Sequence, residues 1–175
     1  MAKNLYLNIC ILLLLSNVGF AQRPGIRDQI QTTYTSKIGV RELTGNNDGE
    51  EVQKYLAYVW LKKGNPWCAA FVSWTFGQHG ITRPRSGGCV QLMDQGRTIY
   101  AKGKASQEPQ KGDVFFIWFP AKGRVAHTGF VDTWGTSTII TVEGNTNEAG
   151  SREGDGIYRK RRLKRQIYAA STYIN

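Results

Sequence analysis

An α+β domain, helices first and an antiparallel sheet after them, is the fold class that this sequence predicts, on three observations. Apolar residues recur at helical spacing through the first half, they alternate or run continuously in short stretches through the second, and turn residues separate those stretches. Within residues 22–40, Ile26, Ile30 and Tyr34 stand four apart and predict an amphipathic helix. The turn TGNNDG at 44–49 follows, where Asn47 or Asp48 is placed to cap a helix that opens on Glu50 and Glu51, buries Val52, Leu56 and Val59 and runs to about Lys62. That loop is not read as an EF-hand, because Tyr55 stands where the twelfth-position glutamate would be needed. Lys63-Gly64-Asn65-Pro66 breaks the chain before a second helix from near Trp67 to Gln78, and a third is expected over Val90–Ala101.

From residue 114 the pattern changes to strands. VFFIWF (114–119), RVAHTGFVD (124–132), STIITVEGN (137–145), GIYRKRRL (156–163) and QIYAASTYI (166–174) are set apart by turns such as PAKG and WGTS. The first 21 residues, with Lys3 ahead of an apolar run over Ile9–Leu15 and Gly19 and Ala21 at the end, are expected to be a signal peptide cleaved near Ala21 and carrying Cys10 away. The run is too short to span a bilayer, which needs about 20 apolar residues, so the membrane is expected to matter only for export to a periplasmic or extracellular location. About 154 residues would remain, enough for one domain and too few for two comfortable ones: a lead-in at 22–41 and a main unit at 42–175, expected to be a monomer.

The net charge of +10 falls to +9 on loss of Lys3 and favours a polyanionic partner. Its densest piece, YRKRRLKRQ at 158–166, is read as a solvated strand; export argues against a nucleic-acid partner. No cofactor and no metal site is expected.

The chemistry centres on NPWCAAFVSW at 65–74. A cysteine in the first turn of a helix meets unpaired N–H groups and the positive end of the dipole, which favour a thiolate. Cys68 is therefore either a buried core residue or a nucleophile, and the second reading needs a base. His79 lies eleven residues on, about 16 Å along a helix at 1.5 Å per residue, and cannot reach it. His127 sits on a strand whose alternation places Val125, His127, Gly129 and Val131 on one face, with Gly129 leaving space beside the imidazole. On the next strand Glu143 and Asn145 share a face by the same alternation, and either could orient the imidazole. A cysteine, a histidine and a carboxylate or amide so arranged make an activated nucleophile.

The stretches TGNNDGEEVQKYL, NPWCAAFVSW, PQKGDVFFIW, RVAHTGFV and TVEGNTN, in that order, resemble the CHAP family of cysteine, histidine-dependent amidohydrolases and peptidases, relatives of the NlpC-type endopeptidases, over roughly residues 42–165. The resemblance implies a papain-like fold, Cys68 as nucleophile, His127 as base and acid, Glu143 as the orienting residue with Asn145 as the alternative third member, and peptidoglycan as substrate. It departs from members with a separate wall-binding domain or an acidic calcium loop. The Cys68 N–H is expected as an oxyanion donor and Asn65, just upstream, as a second; Trp67, Trp118 and Phe119 are candidates for either the cleft wall or the core. An acyltransferase, a silent wall-binding module and a Cys68–Cys89 disulfide are the rival readings.

Overall fold

The computed structural model describes residues 24–148 and 154–174, and the expected signal peptide lies outside them. Helix α1 (Ile26–Ser36) buries Ile30 and Tyr34, as their four-residue spacing requires. Helix α2 (Glu50–Tyr58) buries Val52, Tyr55 and Leu56 and stops before Lys62. Its N-cap is Gly49, without a side-chain cap, because Asp48 is engaged elsewhere: its carboxylate accepts from the Thr44 N–H and hydroxyl. Helix α3 (Cys68–Gly77) is buried on nearly every side, which fits a run with one polar face too narrow to reach water.

The helix expected over Val90–Ala101 is the largest departure. Helix α4 ends at Asp94 after starting at Cys89, and Arg97–Ala101 is strand β1, paired with β2 (Lys104–Ala105). Gly96 follows the helix end, and Thr98-Ile99-Tyr100 is a β-branched and aromatic run whose hydrogen bonds go to the C-terminal strand β7 (Ala169–Thr172). Strands β3 (Val114–Phe119), β4 (Arg124–Trp134), β5 (Thr138–Thr146) and β6 (Gly156–Leu163) fall where the turns placed them. Among the described residues seven strands form one antiparallel sheet in the order β2-β1-β7-β3-β4-β5-β6, so the α+β architecture read from the sequence is borne out.

Phe130 of β4 is where the helices meet the sheet. It stacks on Tyr34 of α1 at 4.6 Å and meets Phe71 and Phe76 of α3 at 6.0 and 5.5 Å. These contacts fix α3 against β4 and β5, and thereby fix the position of Cys68. A smaller cluster gathers Ile99, Tyr100, Phe115, Val131, Ile139 and Ile167. His79 plays no part near the thiol; its Nε2 lies 2.9 Å from the Thr33 hydroxyl and ties the end of α3 to α1.

Candidate active site

Cys68 is the first residue of α3. The first backbone bond of that turn runs from the Phe71 N–H to the Trp67 carbonyl at 2.9 Å, so the N–H groups of Cys68, Ala69 and Ala70 lie ahead of the helical ladder. The Ala69 N–H reaches the sulfur of Cys68 itself. Two features hold this turn in place. Trp67 is wholly buried, its indole N–H donating to Glu42 Oε1 at 2.8 Å, and its backbone N–H donates to Asn145 Oδ1 at 3.1 Å. Gly144 lets β5 come close: a Cβ there would stand 2.7 Å from Trp67 Cζ3 and 3.1 Å from Phe71 Cδ1.

His127 is brought to the thiol by β4, which carries a bulge beside it. Ile117 pairs with His127 and Trp118 with Val125, leaving Ala126 as the extra residue. Gly129 does not open space beside the imidazole as expected. A Cβ at that position would meet Glu143 Cγ and Phe115 Cε1 at 3.0 Å, so the glycine is where the Glu143 side chain crosses the strand. Glu143 Oε2 lies 2.8 Å from His127 Nε2, which leaves Nδ1 as the ring nitrogen for Cys68.

Asn145 departs from the shared face assigned to it. The β5–β6 register shifts between Glu143 and Thr146, and Asn145 adopts φ 53°, a left-handed conformation that asparagine tolerates better than most residues. The turn of backbone sends Glu143 to the imidazole and Asn145 to the N-terminus of α3. There Asn145 Nδ2 donates to Asn47 Oδ1 at 2.9 Å and to Glu42 Oε1 at 3.3 Å. Asn145 is thus a brace for the nucleophile's turn and not a partner of the imidazole.

One further expectation changes, and one open alternative is decided. The Asn65 amide donates to the Lys62 carbonyl at 2.9 Å and does not face the cleft, and Trp67 packs in the core. The cleft of about 710 Å³ that contains Cys68 and His127 is bordered by Phe119, Lys122, Asn145, Arg162 and Gln166. Of the three aromatic candidates, Phe119 lines it and Trp67 does not.

Two residues central to the site were not singled out by sequence. Arg162 of β6 grips Glu143 with both ends of its guanidinium: Nε donates to Oε1 at 2.7 Å and Nη2 to Oε2. The Thr141 hydroxyl donates to Oε1 as well. Glu42 gathers three donors, the Trp67 indole, the Asn145 amide and the Asn47 backbone N–H. Period-two alternation along Tyr158, Lys160 and Arg162 was available as a signal for the arginine; nothing local pointed to Glu42.

The charges follow from these contacts. Cys68 and Cys89 are both free, with their sulfurs 3.6 Å apart. The S–H of Cys89, then the proton and charge of His127 and the Ala69 N–H, outweigh burial and hold the Cys68 thiol well below its ordinary 9.0. The same contact, together with burial, pushes Cys89 up. Burial alone would lower His127, but Cys68 and Glu143 outweigh it and raise the imidazole to about 9. Burial opposes ionisation of Glu143, yet Arg162 and His127 keep it ionised far below the usual carboxylate range. A thiolate–imidazolium pair backed by a carboxylate and a guanidinium is the resting state these groups support. Cys89→Ala, which removes the first of the thiolate's supports, is expected to move the acid limb of any Cys68-dependent pH–rate profile to higher pH while leaving the alkaline limb near 9. Rates measured across pH 4 to 10 on both proteins check it, and an unmoved acid limb would show Cys89 to be packing only.

Residues 60–145, the span that holds Cys68, His127 and Glu143, match the CHAP domain family. The structure is similar to the crystal structure of an NlpC/P60 family protein from Bacillus cereus ATCC 10987, with a TM-score of 0.51 and 19% identity over 87% of this chain and 41% of that one. This chain thus spans less than half the length of that protein. None of the curated proteins matches. The resemblance to the CHAP and NlpC-type families read from the sequence is borne out, and with it the α+β fold.

Proposed function

We propose that this chain, a match to the CHAP domain family through residues 60–145, is an exported cysteine amidohydrolase or endopeptidase that cuts amide bonds of bacterial peptidoglycan. The observation that carries the reading is the constellation at the mouth of α3: Cys68 beside His127, and His127 Nε2 on Glu143 at 2.8 Å. The family match supports the substrate class, and the cleft offers room and a wall of polar and aromatic groups.

The mechanism has two halves. The Cys68 thiolate attacks the amide carbonyl and the carbonyl oxygen takes the electron pair, facing the N–H groups at the start of α3. The imidazolium of His127 then gives its proton to the departing amine as the C–N bond breaks, leaving a thioester on Cys68. In the second half the neutral imidazole takes a proton from water, the hydroxide adds to the thioester, and the acid product leaves as the thiolate re-forms. Glu143 keeps the ring oriented through both halves and Arg162 keeps Glu143 charged.

The test incubates the protein, reduced, with purified peptidoglycan beside a Cys68→Ala version and identifies the fragments by mass spectrometry. New amine ends from the wild type alone are the expected result and name the bond. Amine acceptors joined to the acyl fragment in place of water would make the protein a transpeptidase; intact wall of several chemistries would make it a binding module.

A further inference from the structure

A second hollow adjoins the cleft. Its volume is about 440 Å³, and Lys102, Trp118, Arg165, Gln166 and Tyr168 border it with Ile117. Ile117 and Gln166 border the catalytic cleft too, so the two spaces share a wall. Strand β3 changes character where it reaches this hollow. Val114, Phe115 and Phe116 are wholly buried, while Trp118 and Phe119 are 41% and 37% exposed. The core therefore does not use the last two aromatics, and the strand delivers one to each space: Phe119 to the cleft and Trp118 to the hollow.

Trp118 does not stand alone there. The Tyr168 ring lies 5.4 Å from it with planes 33° apart, so two aromatic rings in contact border the hollow together. Lys102 sits 5.8 Å over the Tyr168 ring, and Arg165 and Gln166 add donors at the rim. No carboxylate borders the hollow among the described residues. Aromatic faces hold the C–H face of a pyranose ring, and cationic and amide N–H donors at its edge suit hydroxyl and acetamido oxygens. A glycan presents such a face at every residue, a peptide only where it carries a ring side chain. A strand of sugars joined to the amide under attack would fill both spaces with one molecule.

We propose that this hollow is a saccharide subsite, in which Trp118 and Tyr168 seat an N-acetylated amino sugar of the glycan strand while the attached peptide lies across Cys68. The subsite rests on the peptidoglycan reading for its ligand, and on the geometry of β3 and Tyr168 for its existence. It gives the catalytic unit a hold on the polymer beside the bond to be cut.

The experiment uses the full chain with Cys68→Ala, so that nothing is turned over, and titrates it with a soluble tetramer of N-acetylglucosamine while tryptophan fluorescence and backbone amide shifts are followed. Saturable binding is expected, weakened at least 10-fold by Trp118→Ala and by Tyr168→Ala and largely kept by Trp118→Phe, which retains a ring. In the Cys68 background, Trp118→Ala is expected to raise KM on intact peptidoglycan about 10-fold with little change in kcat, and to leave cleavage of a sugar-free peptide amide unaltered. No binding of the tetramer at millimolar concentration, or equal binding by the alanine variants, overturns the subsite, as does displacement from these residues by an oligonucleotide of similar length. Saccharide binding at Trp118 in a protein that cuts no wall would leave the subsite standing and remove the hydrolase. Wall cleavage with no saccharide binding would do the reverse.

Discussion

Cys68→Ser is expected to lower the proposed amide hydrolysis by roughly 1,000-fold or more, a scale typical of removing a nucleophile from a catalytic unit that acts together, while the fold and substrate binding persist. The two residues differ little in size, so packing at the start of α3 is preserved. What disappears is the ionised nucleophile. The environment of Cys68 is built around a negative sulfur, with Cys89, His127 and the Ala69 N–H all directed at it. A serine hydroxyl does not ionise in this range, so His127 loses the thiolate that helps to raise it to about 9 and must act as a neutral base from a resting state arranged for an imidazolium. The check is kcat/KM on released amine ends, with circular dichroism to show an intact fold. A serine variant within 10-fold of the wild type would mean that the ion pair is incidental.

On the proposed reading the same pair is expected to set the pH range of activity. A mechanism that needs a thiolate beside an imidazolium rises through the depressed Cys68 titration and falls as His127 deprotonates near 9. Stability is a poor reporter of these groups. A thiol lowered in the fold adds stability as pH rises toward its ordinary 9.0, because the unfolded chain still holds that proton; an imidazole raised to about 9 loses stability over the rise from 6.5, because only the folded chain holds its proton. The two slopes oppose each other between 6.5 and 9, and the pH–rate profile is the sharper measurement.

The parts of this site that the sequence made legible are those governed by local rules. A Pro-Trp-Cys entry into an apolar run announces a helix N-terminus, strand alternation brings out His127 as the polar residue on an otherwise apolar face, and Glu143 follows as a carboxylate on the next strand. Alternation fails where the backbone leaves the regular strand. Ala126 adds a residue beside His127, and Asn145 turns left-handed, so a face assigned by counting in twos is lost at both points. The helix expected over Val90–Ala101 failed for a different reason. Its second half, Arg97–Ala101, has a partner in β7 some seventy residues away, and that pairing overrides a helical spacing of apolar residues. Arg162 was hidden by its company: five of the six residues from Arg159 to Lys164 are basic, and only the burial of alternate members on β6 separates the one that faces Glu143 from those that face water. Glu42 precedes the first helix-forming stretch of the main unit and takes its meaning from Trp67 and Asn145, both far along the chain.

Glu143→Gln and Arg162→Met are expected to move the alkaline limb in opposite senses, which tells apart a carboxylate that tunes the imidazole from one that only fills space. Each oxygen of Glu143 accepts from two donors: Oε1 from Thr141 and Arg162 Nε, Oε2 from His127 Nε2 and Arg162 Nη2. A glutamine must put its NH2 group at one of those positions, and whichever way the amide turns it meets donors. Its charge is gone as well, so His127 loses one of the two groups that raise it, and the alkaline limb falls below 9. Because the ring also loses its orienting partner, kcat/KM drops by roughly 100- to 10,000-fold, the upper figure being that of the amide replacement in a serine triad. Arg162→Met keeps the carboxylate and removes a competing donor and a positive charge. The imidazolium is then the chief partner of Glu143, and the limb moves above 9, with a loss of activity under about 10-fold. The fold weakens by about 1 to 3 kcal/mol, between the ranges for exposed and buried pairs, since the arginine side chain is 19% exposed and the glutamate not at all. Rate profiles from pH 6 to 10.5 and urea unfolding at pH 7 measure both effects. If the two variants shift the limb the same way, His127 is not tuned through Glu143, and the raised imidazole must be owed to the Cys68 thiolate alone.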